Sequence, residues 1–215
     1  MFKYANIILM KQRYAELFDY LSAPELPEHA TGTIVFGRKD PLVAEAYVDL
    51  SEQGLVDWGV MTGGVGKDSG DLKIPEAEYL ARQADMMAEL RRVDLPMTIV
   101  ETQATNGGEN VRNSMEVMRR AKLGYNAITA VAHATSLRRL AAMVDHESSQ
   151  TDTPIKLVYR KPSAYDFDIS NPTDQQEAVA EMNRLADWPA KNWLRPGSEH
   201  DLPQDLVDFA KDISK

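Results

Sequence analysis

The chain has 215 residues, 43% hydrophobic and 27% charged, which suits one packed domain over 1–215 and leaves too little for a second of full size. A formal net charge of -9 argues against nucleic-acid binding, which needs a basic face. The absence of cysteine removes disulfide frameworks, thiolate nucleophiles and cysteine-ligated zinc, and no apolar run approaches the roughly 20 residues of a bilayer span.

The first apolar stretch, Ile7 to Met10, is interrupted by Lys11 and Arg13, so it does not read as a signal peptide, and a cytoplasmic protein is expected. Tyr4 to Leu21 carries Ile7, Ile8, Tyr14, Leu17, Phe18 and Leu21 at helical spacing and is closed by Pro24 and Pro27. Residues 1–30 therefore form a leading helix and connection. Thr33 to Phe36 is a β-rich run closed by Gly37, and Asp40-Pro41 supplies a helix cap with proline in the first turn, predicting a helix over Leu42 to Gln53. The alternation repeats as strand Asp57 to Met61 with helix Pro75 to Arg92, strand Met97 to Val100 with helix Glu109 to Ala121, and strand Ala127 to Val131 with helix Ser136 to Val144. A fifth strand is expected over Ile155 to Tyr159. Such alternation predicts βαβ crossovers, hence an α/β core over 31–160 with a parallel five-stranded sheet between two helical layers. Pro172 to Ala186 and Gln204 to Ile213 read as helices of a C-terminal layer over 161–215, packed with the help of Trp188 and Trp193.

Two corners where strand hands over to helix gather glycines and polar groups. Thr62-Gly63-Gly64-Val65-Gly66-Lys67 follows the second strand, and Thr105-Asn106-Gly107-Gly108-Glu109-Asn110 follows the third. In open α/β sheets ligands bind at such carboxyl ends, where backbone N–H groups and helix dipoles point into the gap. The candidate ligand-binding set is thus Gly37, Asp40, Thr62, Gly63, Gly64, Gly66, Lys67, Asn106, Glu109 and Asn110. The first corner is neither a dinucleotide fingerprint, since Ser69 falls where the third glycine belongs, nor a P-loop, since Met61 and Asp68 stand at required Gly and Ser/Thr positions. A tight structural turn explains it equally well. Asn106 and Glu109 also fit an N-capping box. Glu76 reads either as a first-turn charge or as a pocket acid, and His133, at the end of the fourth strand, as a structural group or an acid/base. Arg138 and Arg139 fall in a first helical turn, where the dipole disfavours cations and an acidic neighbour or an anionic ligand is wanted. The four histidines are scattered, so no metal site is expected.

Gly-Gly-x-Gly after the second strand, Pro75-Glu76-Ala77, Val100-Glu101-Thr102, the run Ala104-Thr105-Asn106-x-Gly108-Glu109-Asn110 and Arg138-Arg139 together resemble the YdcF-like family, the domain of unknown function shared by YdcF, SanA and ElyC, and within it the YdcF branch. The resemblance runs from about Gly32 to Val144. It implies a Rossmann-like three-layer α/β/α fold and binding of S-adenosylmethionine, with Gly63, Gly64, Gly66, Glu76, Asn106, Glu109, Asn110 and Arg139 as pocket residues. Ser136 stands where many members have a histidine three residues before the arginine.

The expected function is that of a small-molecule-binding protein taking S-adenosylmethionine or a related nucleotide-like metabolite at the carboxyl edge, with methyl transfer as the natural activity. One alternative is a metal-independent hydrolase or transferase acting on a phosphorylated or glycan-lipid envelope precursor, with Glu76, Glu109 or His133 as acid/base. Another is a non-catalytic metabolite sensor.

Overall fold

Ile34-Val35-Phe36 and Ile128-Thr129-Ala130-Val131 are apolar or small without alternation, as strands covered on both faces must be. The computed structural model describes residues 2–22, 28–66, 69–124, 127–151, 156–162, 168, 170–187 and 202–214, so Lys67, Ile155, Trp188 and Trp193 lie outside the described residues. In chain order the elements are α1 (Phe2–Ser22), β1 (Gly32–Phe36), α2 (Pro41–Glu52), β2 (Trp58–Thr62), α3 (Glu76–Arg91), β3 (Met97–Glu101), α4 (Gly107–Arg120), β4 (Ala127–Ala132), α5 (Leu137–Ser148), β5 (Lys156–Pro162), α6 (Pro172–Ala186) and α7 (Gln204–Ile213).

The strands are parallel and lie in the order β3-β2-β1-β4-β5. Val35 of the central β1 pairs with Met61 on one side and Val131 on the other. The four strands from β3 to β4 pair in unbroken register. Alongside β4 the pairing shifts between Ile128 and Thr129. The strand expected over 155–159 runs over Lys156–Pro162 instead, and one extra residue on it interrupts its register with β4, as at a β-bulge.

Alternate side chains of the central strands feed two cores. Ile34, Phe36, Trp58, Val60, Ile128 and Ala130 meet α1, α4, α5, α6 and α7 through residues such as Leu17, Val111, Leu140, Met182 and Leu206. On the other face Val35, Met61 and Val131 meet Val43, Tyr47, Leu80 and Ala84 of α2 and α3. The terminal helices thus join one layer and lock to each other. Arg13 donates to the Asp205 side chain at 2.8 Å and its carbonyl at 2.7 Å, while Tyr14 meets Phe209 edge-on at 5.3 Å. Among the described residues no helix is long and apolar enough to cross a membrane.

Candidate functional site at the carboxyl edge

The chain moves outward in one direction from β1 through β2 to β3, then crosses to the opposite side of β1 for β4. The connections leaving β1 and β4 therefore part company above their carboxyl ends, which is where a crevice opens in parallel sheets. Gly37 to Asp40 follows β1, and His133 with the tight turn Ala134–Ser136 follows β4. His133 retains only 4% of its exposure. Its Nδ1 lies 2.8 Å from Thr135 Oγ1, and the Thr135 hydroxyl donates to Glu177 Oε1 of α6 at 2.6 Å. Arg38 Nη1 reaches the same carboxylate at 2.8 Å. Asp40 caps α2 with Oδ1, accepting from the Leu42 N–H at 3.0 Å, while Oδ2 faces His133 Nε2 at 3.8 Å.

These charges set the protonation states. Burial, reinforced by the Arg38 guanidinium, pushes the His133 imidazolium to lose its proton more readily than the ordinary side chain, against the pull of Glu177, Asp40 and Asp174. Burial pushes the Glu177 carboxyl up, but the Arg38 ion pair and the Thr135 hydroxyl outweigh it and hold the group below its ordinary value. A histidine kept neutral in the fold binds fewer protons than it does in the unfolded chain. Its contribution to stability is thus intact above the unfolded pKa of about 6.5 and is lost as pH falls through the lower folded value. Urea melts from pH 8 to pH 5 are expected to show stability declining below about pH 6.5, with the slope in that window reduced in His133→Asn. An unaltered slope in the variant would remove His133 as its source.

The corner after β2 has a different character. The N–H groups of Gly37, Gly63 and Gly64 donate to the carbonyls of Thr62, Glu101 and Ala104 at 2.7, 3.0 and 2.6 Å, and that of Gly66 to Ser69 Oγ at 2.8 Å. The sequence expectation that these amides point at a ligand is corrected here: they are spent on closing the corner. Gly63 has φ +141°, and a Cβ on Gly64 would stand 2.6 Å from the Thr102 carbonyl, so both glycines are required by backbone shape. Glu76, at the start of α3, packs over the two strand ends. A Cβ on Gly37 or Gly63 would come within 2.9 or 3.2 Å of its Oε2, and its Oε1 accepts from Ser69 Oγ at 2.9 Å. Glu76 is therefore the polar group that this corner presents, joining the ends of β1 and β2.

Next to it lies a buried acid that the sequence reading had not singled out as a site residue. Glu101 ends β3 and is 7% exposed. Its Oε2 accepts from Thr62 Oγ1 at 2.6 Å, and its Oε1 from Gln103 N, Ala104 N and Asn113 Nδ2 at 2.7, 3.1 and 3.1 Å. Asn110, 8% exposed, approaches Thr62 Oγ1 at 3.4 Å. Thr62, Glu101 and Asn110 thus tie β2, β3 and α4 together.

Asn106 caps α4, accepting from Glu109 N at 3.0 Å, and Glu109 reaches back to the N–H and hydroxyl of Thr105 at 2.7 and 2.8 Å. These bonds, the backbone one first, hold the Glu109 carboxyl below its ordinary value. Glu109→Gln keeps an oxygen for Thr105 and is expected to fold as the wild type does. A ligand contact at Glu109 predicts instead that affinity falls by about tenfold, equivalent to ~1.4 kcal/mol of binding; calorimetry at matched folded fraction separates the two.

Arg138 and Arg139 do stand in the first turn of α5, and both have partners. Arg139 pairs with Glu181 of α6, which also receives Arg184 at 2.9 Å. Arg138 donates to the Tyr20 carbonyl and lies 4.0 Å from the centroid of the Tyr20 ring, anchoring the end of α1. The acidic neighbour wanted from the dipole argument is therefore present for Arg139, in Glu181.

The fold brings Gly37, Gly63 and Glu76 together, and separately Thr62 with Asn110, Asn106 with Glu109, and Asp40 with His133. Arg139 instead borders Gly107 at the start of α4. Arg38, Thr135, Glu177 and Asp174 complete the surroundings of His133 without having been expected. Arg38 and Thr135 were findable as polar residues directly following apolar strands, whereas nothing local marks Glu177 or Asp174. Among the described residues no group of three or more His, Asp or Glu side chains is arranged to hold a metal. No protein-family model matches the chain, and no curated protein matches it either.

Proposed function

We propose that this protein binds a small, polar, nucleotide-like metabolite at the carboxyl edge of its sheet, S-adenosylmethionine being the first candidate. The observation that carries the reading is the strand order β3-β2-β1-β4-β5, with the reversal between β1 and β4 flanked by Glu76 on one side and the His133 cluster on the other. This is the order of Rossmann-like sheets, whose ligands lie at the reversal. A carboxylate such as Glu76 suits ribose hydroxyls, and methyl transfer is the activity to assay with a methyl donor bound. The resemblance to the YdcF-like family supports the same ligand.

Thermal shift and calorimetry with S-adenosylmethionine, its demethylated product, nucleotides and sugar phosphates test the reading. A metabolite that binds only the folded state adds about 2.7 kcal/mol of stability at a hundredfold excess over its Kd. Absence of both shift and heat with millimolar adenosyl compounds removes the first candidate. A second reading, metal-independent hydrolysis or group transfer on a phosphorylated or glycan-lipid precursor, is favoured by the neutral, buried His133 at that edge. Turnover of such a substrate, abolished in His133→Asn, is its test.

A further inference from the structure

The two edges of the sheet differ in kind. β5 carries Lys156, Arg160, Lys161 and Pro162 together with the register shift, and charge, proline and bulges are what keep an edge strand from pairing further. β3, at the opposite edge, has none of these over Met97-Thr98-Ile99-Val100, and among the described residues it pairs with β2 alone. The Glu101 carbonyl accepts from the Gly63 N–H just past β2 at 3.0 Å, so it points into the sheet. By alternation the backbone groups of Ile99 point inward as well, and those of Thr98 and Val100 point away from the sheet. Side chains alternate too. Thr98 meets Tyr47 of α2 at 2.6 Å and Glu101 meets Asn113 of α4 at 3.1 Å, which puts Val100 on the α2–α3 face and Met97 and Ile99 on the α4 face. Each face of the edge bears uncovered apolar surface: Met97 is 57% exposed, Val100 39%. α3, the helix of its layer that lies over β2 and β3, adds the exposed Met86 and Leu90.

We propose that β3 is an interface between two copies of this chain, paired antiparallel about a two-fold axis at Ile99 so that their sheets join into one. In that register Thr98 of one copy and Val100 of the other exchange both backbone N–H···O bonds, and symmetry repeats the pair on the other side of the axis. Ile99 then faces its own copy, with Cα atoms about 4.5 Å apart. A strand that meets itself brings every charge near the axis against a like charge, and Thr98-Ile99-Val100 carries none. The same pairing at β5 would set Arg160 and Lys161 of one copy close to those of the other. β3 against β5 of a further copy would leave an open edge at each end and add copy after copy, whereas β3 against β3 uses the one open side of each strand and closes. The inference goes beyond the ligand reading and does not depend on it. Antiparallel pairing sends the two carboxyl edges in opposite directions, so both crevices stay open to solvent.

Sedimentation from low to high micromolar concentration is expected to show a dimer. Val100→Lys and Met97→Lys, both at exposed positions, are each expected to raise its dissociation constant at least tenfold, with urea melts showing that the variants fold. A cysteine pair tests the same geometry without adding charge. The chain has no cysteine, so a single introduced one can form a disulfide within the protein only across the interface. With oxidised glutathione as the oxidant, Ile99→Cys is expected to give a covalent dimer, since its two Cα atoms fall within the roughly 4.4–6.8 Å that a disulfide spans. Val100→Cys is expected not to, because its copies stand one residue either side of the axis and about 8 Å apart. A chain that sediments as a monomer throughout, a dimer that is unweakened in both lysine variants, or cross-linking at Val100 and not at Ile99 overturns the proposal.

Discussion

Glu101→Ala is expected to cost about 3–5 kcal/mol of folding stability, a large part of the roughly 5–15 kcal/mol available to a domain. The side chain is 7% exposed and accepts four hydrogen bonds, two of them from backbone N–H groups that have no other acceptor in the turn after β3. Removing it strands the buried Ala104 N–H and the part-buried Gln103 N–H, and each unmet buried donor costs about 1–3 kcal/mol before relaxation or entering water. Thr62 would fall back on Asn110 at 3.4 Å, a weak replacement. Glu101→Gln retains one oxygen for the Gln103 and Ala104 amides, and Thr62 can turn its hydroxyl to accept from the new amide, so a loss nearer 1 kcal/mol is expected. Urea melts of both variants decide the matter. An alanine variant within 1 kcal/mol of the wild type would show that water replaces the carboxylate freely.

The second large effect concerns Arg139. Its guanidinium is 16% exposed and pairs with Glu181, whose side chain is 4% exposed. Truncating one partner of a buried pair leaves an uncompensated charge, which costs about 3–5 kcal/mol in full. Arg184 remains on Glu181 Oε2 at 2.9 Å, so Arg139→Ala is expected to lose about 2–3 kcal/mol. The companion change Glu181→Gln should recover much of that loss in the double variant, since the stranded charge is then gone. Ligand affinity per folded molecule is expected to be unchanged in Arg139→Ala. A selective affinity loss at unaltered stability would return Arg139 to the ligand.

The contrast between these residues explains what could be read from the chain alone. Asn106 and Glu109 were legible because a cap is local: acceptor and donor lie three residues apart, and helix geometry fixes their distance. The α6 and α7 boundaries were legible for the same reason, with Asn171-Pro172 and Pro203 marking starts. The strands announced themselves as apolar runs between turn residues. The His133 cluster was not legible beyond Asp40 and His133, because Glu177 and Asp174 come from a helix some forty residues downstream and look like any solvated acids of its polar face. Arg139 signalled its need for a partner through the dipole argument, but the partner's identity depended on how α6 lies against α5. The glycine corner misled in an instructive way. Glycines that let a ligand approach a backbone and glycines that let Glu76 or a carbonyl approach it have the same sequence, and only the hydrogen-bond accounting separates them.

The central place of β1 also bears on how the chain is made. β2 and β3 can join β1 soon after they leave the ribosome, but the opposite edge of β1 waits for β4, about 90 residues later, which at ~5–20 residues per second leaves an apolar strand edge open for several seconds. During that interval Ile34, Phe36, Trp58 and Val60 have neither α5 nor α6 above them. Nascent chains arrested before Ala127 emerges should therefore be the ones that engage chaperones and yield to protease, and protection should appear as one late step when β4 inserts.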